Sequence, residues 1–112
     1  MVSGPTSVLV VLCTCPDEAA ADRIAQELVA ERLAACVNRL PGLRSTYRWK
    51  GAAQSEPETL LIIKTSSSRF AALEMRLKAL HPSEVPEIIA LPVVAGSSAY
   101  LDWVAAETRV ST

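Results

Sequence analysis

Apolar positions recur along the chain with two different periods, and the switch between them divides it into elements. Val8 to Thr14 is a continuous β-branched and aliphatic run, which predicts a strand buried on both faces. Pro16-Asp17-Glu18 then reads as a helix start. Proline lacks the amide donor that a first turn leaves unused, and the acids suit the positive end of the helix dipole. Ala21, Ile24, Ala25, Leu28 and Val29 share one helical face, Asp22, Arg23, Gln26 and Glu27 take the other, and the helix is expected to end near Leu33. A strand follows from Ala35 to Trp49, and Pro41-Gly42 within it predicts a kink, a bulge or an edge position. Beyond that point Ser45, Tyr47 and Trp49 alternate with Thr46, Arg48 and Lys50, so the rings share one face and the cations the other. Gly51 opens a turn, and the chain returns as a strand from Glu58 to Thr65, making a long antiparallel hairpin.

One of Ser66, Ser67 and Ser68 caps a second helix, with Phe70, Leu73, Leu77 and Leu80 on its inner face and His81-Pro82 at its end. Ile88 to Val94 is the last strand, placed at an edge or a bulge by Pro92. Gly96-Ser97-Ser98 leads into a short helix holding Tyr100, Leu101, Trp103 and Val104. The order predicts an α+β, ferredoxin-like βαββαβ fold: an antiparallel sheet, both main helices on one face, and a short C-terminal helix besides. The other face would lie open, and a second copy of the sheet could cover it. The expectation is a single domain over residues 1–112, with 1–7 a loose start and 8–107 the ordered core.

Composition sharpens this picture. Half of the 112 residues are hydrophobic yet only 4% are aromatic, so Ala, Val, Leu and Ile must fill the core, and the apolar surplus points to a subunit interface. The net charge of −1 is spread over both signs, which argues against nucleic acid and anionic membranes as partners. The apolar run from Val8 to Cys13 is too short to span a bilayer, and no basic segment precedes it as in a signal peptide. A cytoplasmic location is expected, where the three cysteines, an odd number, would stay reduced.

Chemistry is concentrated in few residues. Cys13 and Cys15 lie two apart on a strand and so point the same way. Thiolates there would favour Cu(I) or Zn(II), although a buried thiol is also an ordinary small hydrophobe. Cys15, at the strand-to-helix turn, is expected to be the more exposed of the two, and Cys36 to be packed. His81, the lone histidine, stands at a helix end that favours a cation and could also ligate metal. Tyr47, Trp49, Lys64 and Glu87 read either as the lining of a cleft between subunits or as interface anchors. A glycine-rich phosphate loop is missing, the strand Glu58 to Thr65 lacks the rings and basic residues of an RNA platform, and no third partner completes a Cys–His hydrolase.

Several segments in order carry a family resemblance. They are Leu12-Cys13-Thr14 before Pro16-Asp17; Leu33-Ala34-Ala35-Cys36-Val37-Asn38; Ser45 to Gly51; Lys64-Thr65; His81-Pro82; Pro86-Glu87-Ile88; Leu91-Pro92-Val93; and Tyr100-Leu101-Asp102-Trp103. Together they resemble the CutA family of divalent-cation tolerance proteins, from Val8 to about Ala105. The resemblance implies a tight homotrimer in which each hairpin extends a neighbour's sheet. It also implies a role in tolerance of copper and other divalent metal ions, with no required cofactor and no accepted catalytic reaction. The metal site it implies joins Cys13 to a His-His pair. His81 carries over, but Leu80 stands where the other imidazole would be, and Ser83 stands where the family usually has a tyrosine. The alternative is a small-metabolite sensor using the intersubunit cleft, as in nitrogen-regulatory trimers, although Gly51 to Pro57 is too short for the long loop of those proteins.

Overall fold

A computed structural model of the chain describes residues 7–110; apart from Ser7, the loose start expected for residues 1–7 lies outside the described residues. The elements are β1 (Val8–Cys15), α1 (Glu18–Ala30), β2 (Cys36–Trp49), β3 (Ala52–Ser66), a 3-10 turn (Ser67–Arg69), α2 (Phe70–Leu80), β4 (Ile89–Pro92) and α3 (Ser98–Glu107). The strands form one antiparallel sheet in the order β2-β3-β1-β4. This is the ferredoxin-like arrangement.

Strand phase decides what lies on each face. Val11, Cys13 and Cys15 of β1 and Leu61 and Ile63 of β3 are buried against Ile24 and Leu28 of α1 and Leu73 and Leu77 of α2. α1 begins where Asp17, the N-cap, accepts the amide of Ala20 at 2.8 Å. It ends at Ala30, earlier than Leu33. Arg32 takes a positive φ of 59°, and the Leu33 and Ala34 amides fold back onto the Leu28 carbonyl. Val29, expected inside, is exposed as a result of facing away from the sheet. The Arg32 guanidinium then reaches carbonyls in the last turn of α3 and just beyond it, at Ala106 (2.9 Å) and Arg109 (3.4 Å). No serine side chain caps α2. Ser66 bonds instead to Thr108, the C-cap of α3, Oγ to Oγ1 at 2.7 Å.

The hairpin is longer than its apolar core suggests. β3 starts at Ala52 rather than Glu58, because Lys50 and Gly51, both at positive φ (51° and 81°), close a two-residue turn directly between Trp49 and Ala52. Residues 51–57 are therefore strand and turn rather than a loop. The arm projects beyond the core, giving overall dimensions of 43 × 27 × 22 Å.

A bulge in this arm sets which side chains face the functional residues. Leu40 pairs with Leu60, but Leu43 pairs with Glu58, so β2 carries one extra residue at Pro41-Gly42. Gly42 supplies the positive φ (86°), and proline has no amide to lose from the ladder. The extra residue reverses the phase of β2. Before it, Cys36, Asn38 and Leu40 share a face with Leu60 and Ile62; after it, Leu43, Ser45, Tyr47 and Trp49 take that face.

The face away from α1 and α2 is only partly covered. α3 packs on its β1–β3 part, where Val104 and Thr108 are buried. The rest presents Leu12 and Ile62 beside Leu40, Ile89 and Leu91, the last three 49–53% exposed, and the tilted ring pair Tyr100–Trp103 at 5.6 Å between centroids. β4 is shorter than expected, Ile89–Pro92 against Ile88 to Val94, and Pro92 is its last residue at the sheet edge.

Candidate functional site: a buried thiol–imidazole cluster beside an acidic, ring-lined cleft

Cys13 and Cys15 emerge side by side from the helix-covered face of β1, and neither exposes any surface. The expectation that Cys15 would be exposed fails. β1 runs through Cys15 itself, and Ala20 and Ala21 in the first turns of α1 pack in the same cluster. His81 arrives from the opposite direction. As the residue before Pro82 it is excluded from the helical region (φ −77°, ψ 135°), so it leaves α2 while its amide still bonds the Leu77 carbonyl at 2.8 Å. Its ring swings towards β1, and Nε2–H donates to the Thr14 carbonyl at 2.7 Å. β4 begins opposite Leu12 and does not reach that carbonyl. The Ser83 amide donates to Nδ1 at 3.0 Å, so the two bonds together assign the proton to Nε2.

The sulfurs of Cys13 and Cys15 and a ring nitrogen of His81 all lie within 4.8 Å of one another, and all three residues are buried. Two soft donors and one borderline donor at this spacing suit a thiophilic ion such as Cu(I) or Zn(II). The two thiols already interact. The hydrogen bond from Cys13 lowers the Cys15 pKa against the opposing effect of burial, while that bond and burial push Cys13 up. Leu80, in the position where a second imidazole would stand, packs half-buried against the core. Cys36 is not part of the cluster; it lies half-buried on the opposite face of the sheet.

His81 and Thr14 also form the inner wall of a cleft of about 770 Å³. Its other walls are Ser45, Tyr47, Trp49 and Glu58 from the hairpin arm and the segment running from Ser83 to Glu87. The phase reversal at Pro41-Gly42 is what turns Tyr47 and Trp49 to the same side as Glu58 and Thr14. Both rings remain a little over a third exposed. The Tyr47 hydroxyl donates to the Glu56 carboxylate, which pushes the phenol's pKa up, and Lys50 Nζ stands 5.7 Å from the Trp49 ring centroid.

Of the expected cleft residues, Tyr47, Trp49 and Glu87 come together and Lys64 does not. Lys64 lies further along β3, bonded to Asn38 across the β2–β3 ladder, because its register places it opposite Cys36 and Val10. Glu58 and Glu84 were missed. Glu58 was legible only as a strand end, and nothing in the local pattern around Glu84 distinguishes it from a solvated loop acid.

Residues 9–107 match the family described as CutA1 divalent ion tolerance protein. The chain belongs to this family. It is 54% identical over 99 residues to the divalent-cation tolerance protein CutA of Thermus thermophilus, covering 88% of this chain and 96% of that one. The rice protein named CutA 1, chloroplastic, is 46% identical over 113 residues; the match covers 99% of this chain and 64% of that protein. A Thermus thermophilus structure described as divalent cation tolerance protein (Cut A1) superposes with a TM-score of 0.89 at 52% identity, covering 91% of this chain and 99% of that one. For the CutA fold of this chain, the thiol cluster and the cleft are thus adjoining features on one frame, joined through His81.

Proposed function

We propose that this chain is a homotrimeric metal-binding protein of the divalent-cation response, taking a thiophilic ion at Cys13, Cys15 and His81 and catalysing no reaction of its own. The observation that carries the reading is the convergence of the three donor atoms within 4.8 Å. Cu(I) suits the set best, because it tolerates low coordination numbers and prefers sulfur. The thiolates are the primary ligands, with Cys15 compensating for the imidazole lost at Leu80. His81 would join by moving its proton from Nε2 to Nδ1, giving up both the bond to the Thr14 carbonyl and the one accepted from the Ser83 amide, and the cleft is the route by which an ion reaches its ring. A binding role rather than a catalytic one is favoured because both ring nitrogens of His81 are engaged with backbone groups.

The trimer is supported by the half-exposed apolar face of the sheet, where Leu40, Ile89 and Leu91 stand beside Leu12 and Ile62. A cytoplasmic location is supported by three cysteines that are all free thiols. Among the described residues no helix is long and apolar enough to cross a membrane. The test is native mass spectrometry of the protein with Cu(I) under reducing conditions. One ion per chain is expected on a trimer, with uptake lost in Cys13→Ser and Cys15→Ser but retained in Cys36→Ser. Equal uptake by all three variants would remove the site.

A further inference from the structure

The His81 ring joins the buried cluster to a segment that is tied down in only a few places. Residues 82–88 run from α2 to β4 without regular secondary structure, and two of them, Pro82 and Pro86, have no amide to donate. Among the described residues, the bond from the Ser83 amide to His81 Nδ1 is the one hydrogen bond that this segment makes. Its far end is held by Ile88, packed against the core, and by the pairing of Ile89 with Leu12. The middle of the segment therefore depends on the ring.

The ring does not hold the segment and ligate an ion at the same time. Nε2 is the nitrogen bonded to the carbonyl of Thr14, the residue between Cys13 and Cys15 in β1. A neutral imidazole carries one N–H. For Nε2 to turn a lone pair to the two sulfurs, its proton leaves to water and Nδ1 takes one up, so the ring stays neutral. Nδ1–H then points at the Ser83 N–H, 3.0 Å away, and two donors face each other where a donor had met an acceptor. The segment loses its hydrogen bond.

We propose that His81 and Ser83 form a latch that answers to the state of the cysteine pair. With the thiols free, the ring clasps the Ser83 amide and holds residues 82–88 in place; when a thiophilic ion takes the two sulfurs and Nε2, the clasp opens and the segment is released. The latch rests on the metal-binding reading of Cys13, Cys15 and His81, and adds to it a change outside the cluster. The segment leads directly into β4, so the occupancy of a fully buried site is passed to the strand that carries Ile89 and Leu91. Ser83 acts through its backbone amide, as a positioning residue for the ring.

The test is nuclear magnetic resonance of the nitrogen-15-labelled full chain, reduced and free of oxygen, before and after one equivalent of Cu(I), a diamagnetic ion. Native mass spectrometry of the same samples reads uptake. His81 is the only histidine, so its ring nitrogens are assigned without ambiguity. Nε2 is expected to carry the proton before loading and Nδ1 after it. The Ser83 amide should exchange with solvent about fivefold faster once loaded, as the loss of one hydrogen bond requires, while the Ile63 amide in the core does not quicken. His81→Asn keeps a side-chain carbonyl that accepts the amide two residues on but has no ring proton to move, so Ser83 should stay protected with and without Cu(I). His81→Phe offers no acceptor, and Ser83 should exchange fast in both states. The parent decides the question even where a variant fails to fold. Uptake by the parent with the Nε2 proton and the Ser83 protection unchanged would overturn the latch alone. No uptake by the parent would overturn the metal reading and the latch with it. Release of Ser83 on adding Cu(I) to Cys13→Ser, with no ion taken up, would sever the latch from the cluster and overturn it too.

Discussion

Replacing Ile89 by aspartate should dissolve the proposed trimer while leaving the subunit folded. Ile89 sits on β4 opposite Leu12 and is 50% exposed in the single chain. Fully burying an isoleucine is worth about 1.5–3 kcal/mol, so covering the exposed half contributes about 1 kcal/mol per copy. An aspartate trapped there costs several kcal/mol more, because its desolvation has no compensating partner; about 3 kcal/mol is a conservative figure. The sum is about 4 kcal/mol per copy and about 12 kcal/mol for three, or roughly nine orders of magnitude in the trimer association constant. The monomer loses much less. An aspartate on an exposed edge strand costs about 1 kcal/mol in β propensity. Size-exclusion chromatography with light scattering should show the parent at three chains and the variant at one, with similar far-ultraviolet circular dichroism. A variant that remains trimeric would refute the assignment of this face to the interface, and a parent that runs as one chain would refute the trimer.

Other consequences are open to direct measurement. In the native protein, Cys13 and Cys15 should react with N-ethylmaleimide only as fast as the chain unfolds, despite the lowered pKa of Cys15, because neither sulfur is exposed; mass spectrometry of labelled peptides against time reads this. Thr65→Val should lower stability by about 1–3 kcal/mol in urea denaturation, since the Thr65 hydroxyl is bonded at 2.7 Å to the Leu33 carbonyl, which would be left buried and unpaired. Arg76 bonds Glu31 through two nitrogens, which holds that carboxyl below its usual range, so the folded state releases this proton more readily than the unfolded one. The pair therefore adds stability above the ordinary carboxylate range and loses it as pH falls through the lowered folded value. Solvent screening keeps the effect well under about 1 kcal/mol. A pH series of urea midpoints should show Arg76→Met flattening this acid limb, and an unchanged slope would contradict the pairing.

Much of the architecture was legible along the chain because it depends on local periodicity. The 3.6-residue period of Ile24, Ala25 and Leu28, the aspartate at position 17 that caps α1, and the apolar runs of β1 and β3 are short-range signals, and they specify a ferredoxin-like order of elements before any contact is known. The cysteine pair could be placed on one side of a strand for the same reason. The pre-proline position of His81 marked the end of α2, but nothing local indicated that its ring would meet Thr14.

What the sequence could not settle was phase and reach across distant segments. One extra residue at Pro41-Gly42 decides which face Tyr47 and Trp49 occupy, and a period of two is the same on either face; only pairing with β3 breaks the tie. Cys15 reads as an exposed turn residue until α1 is packed over it. Lys64 and Glu87 read as equals in the sequence, yet register puts the first across the ladder from Cys36, while the segment between α2 and β4 carries the second to the cleft. The elements follow from neighbours in sequence, whereas the site is made by residues as far apart as Thr14 and His81, and their meeting is determined by packing of the whole sheet.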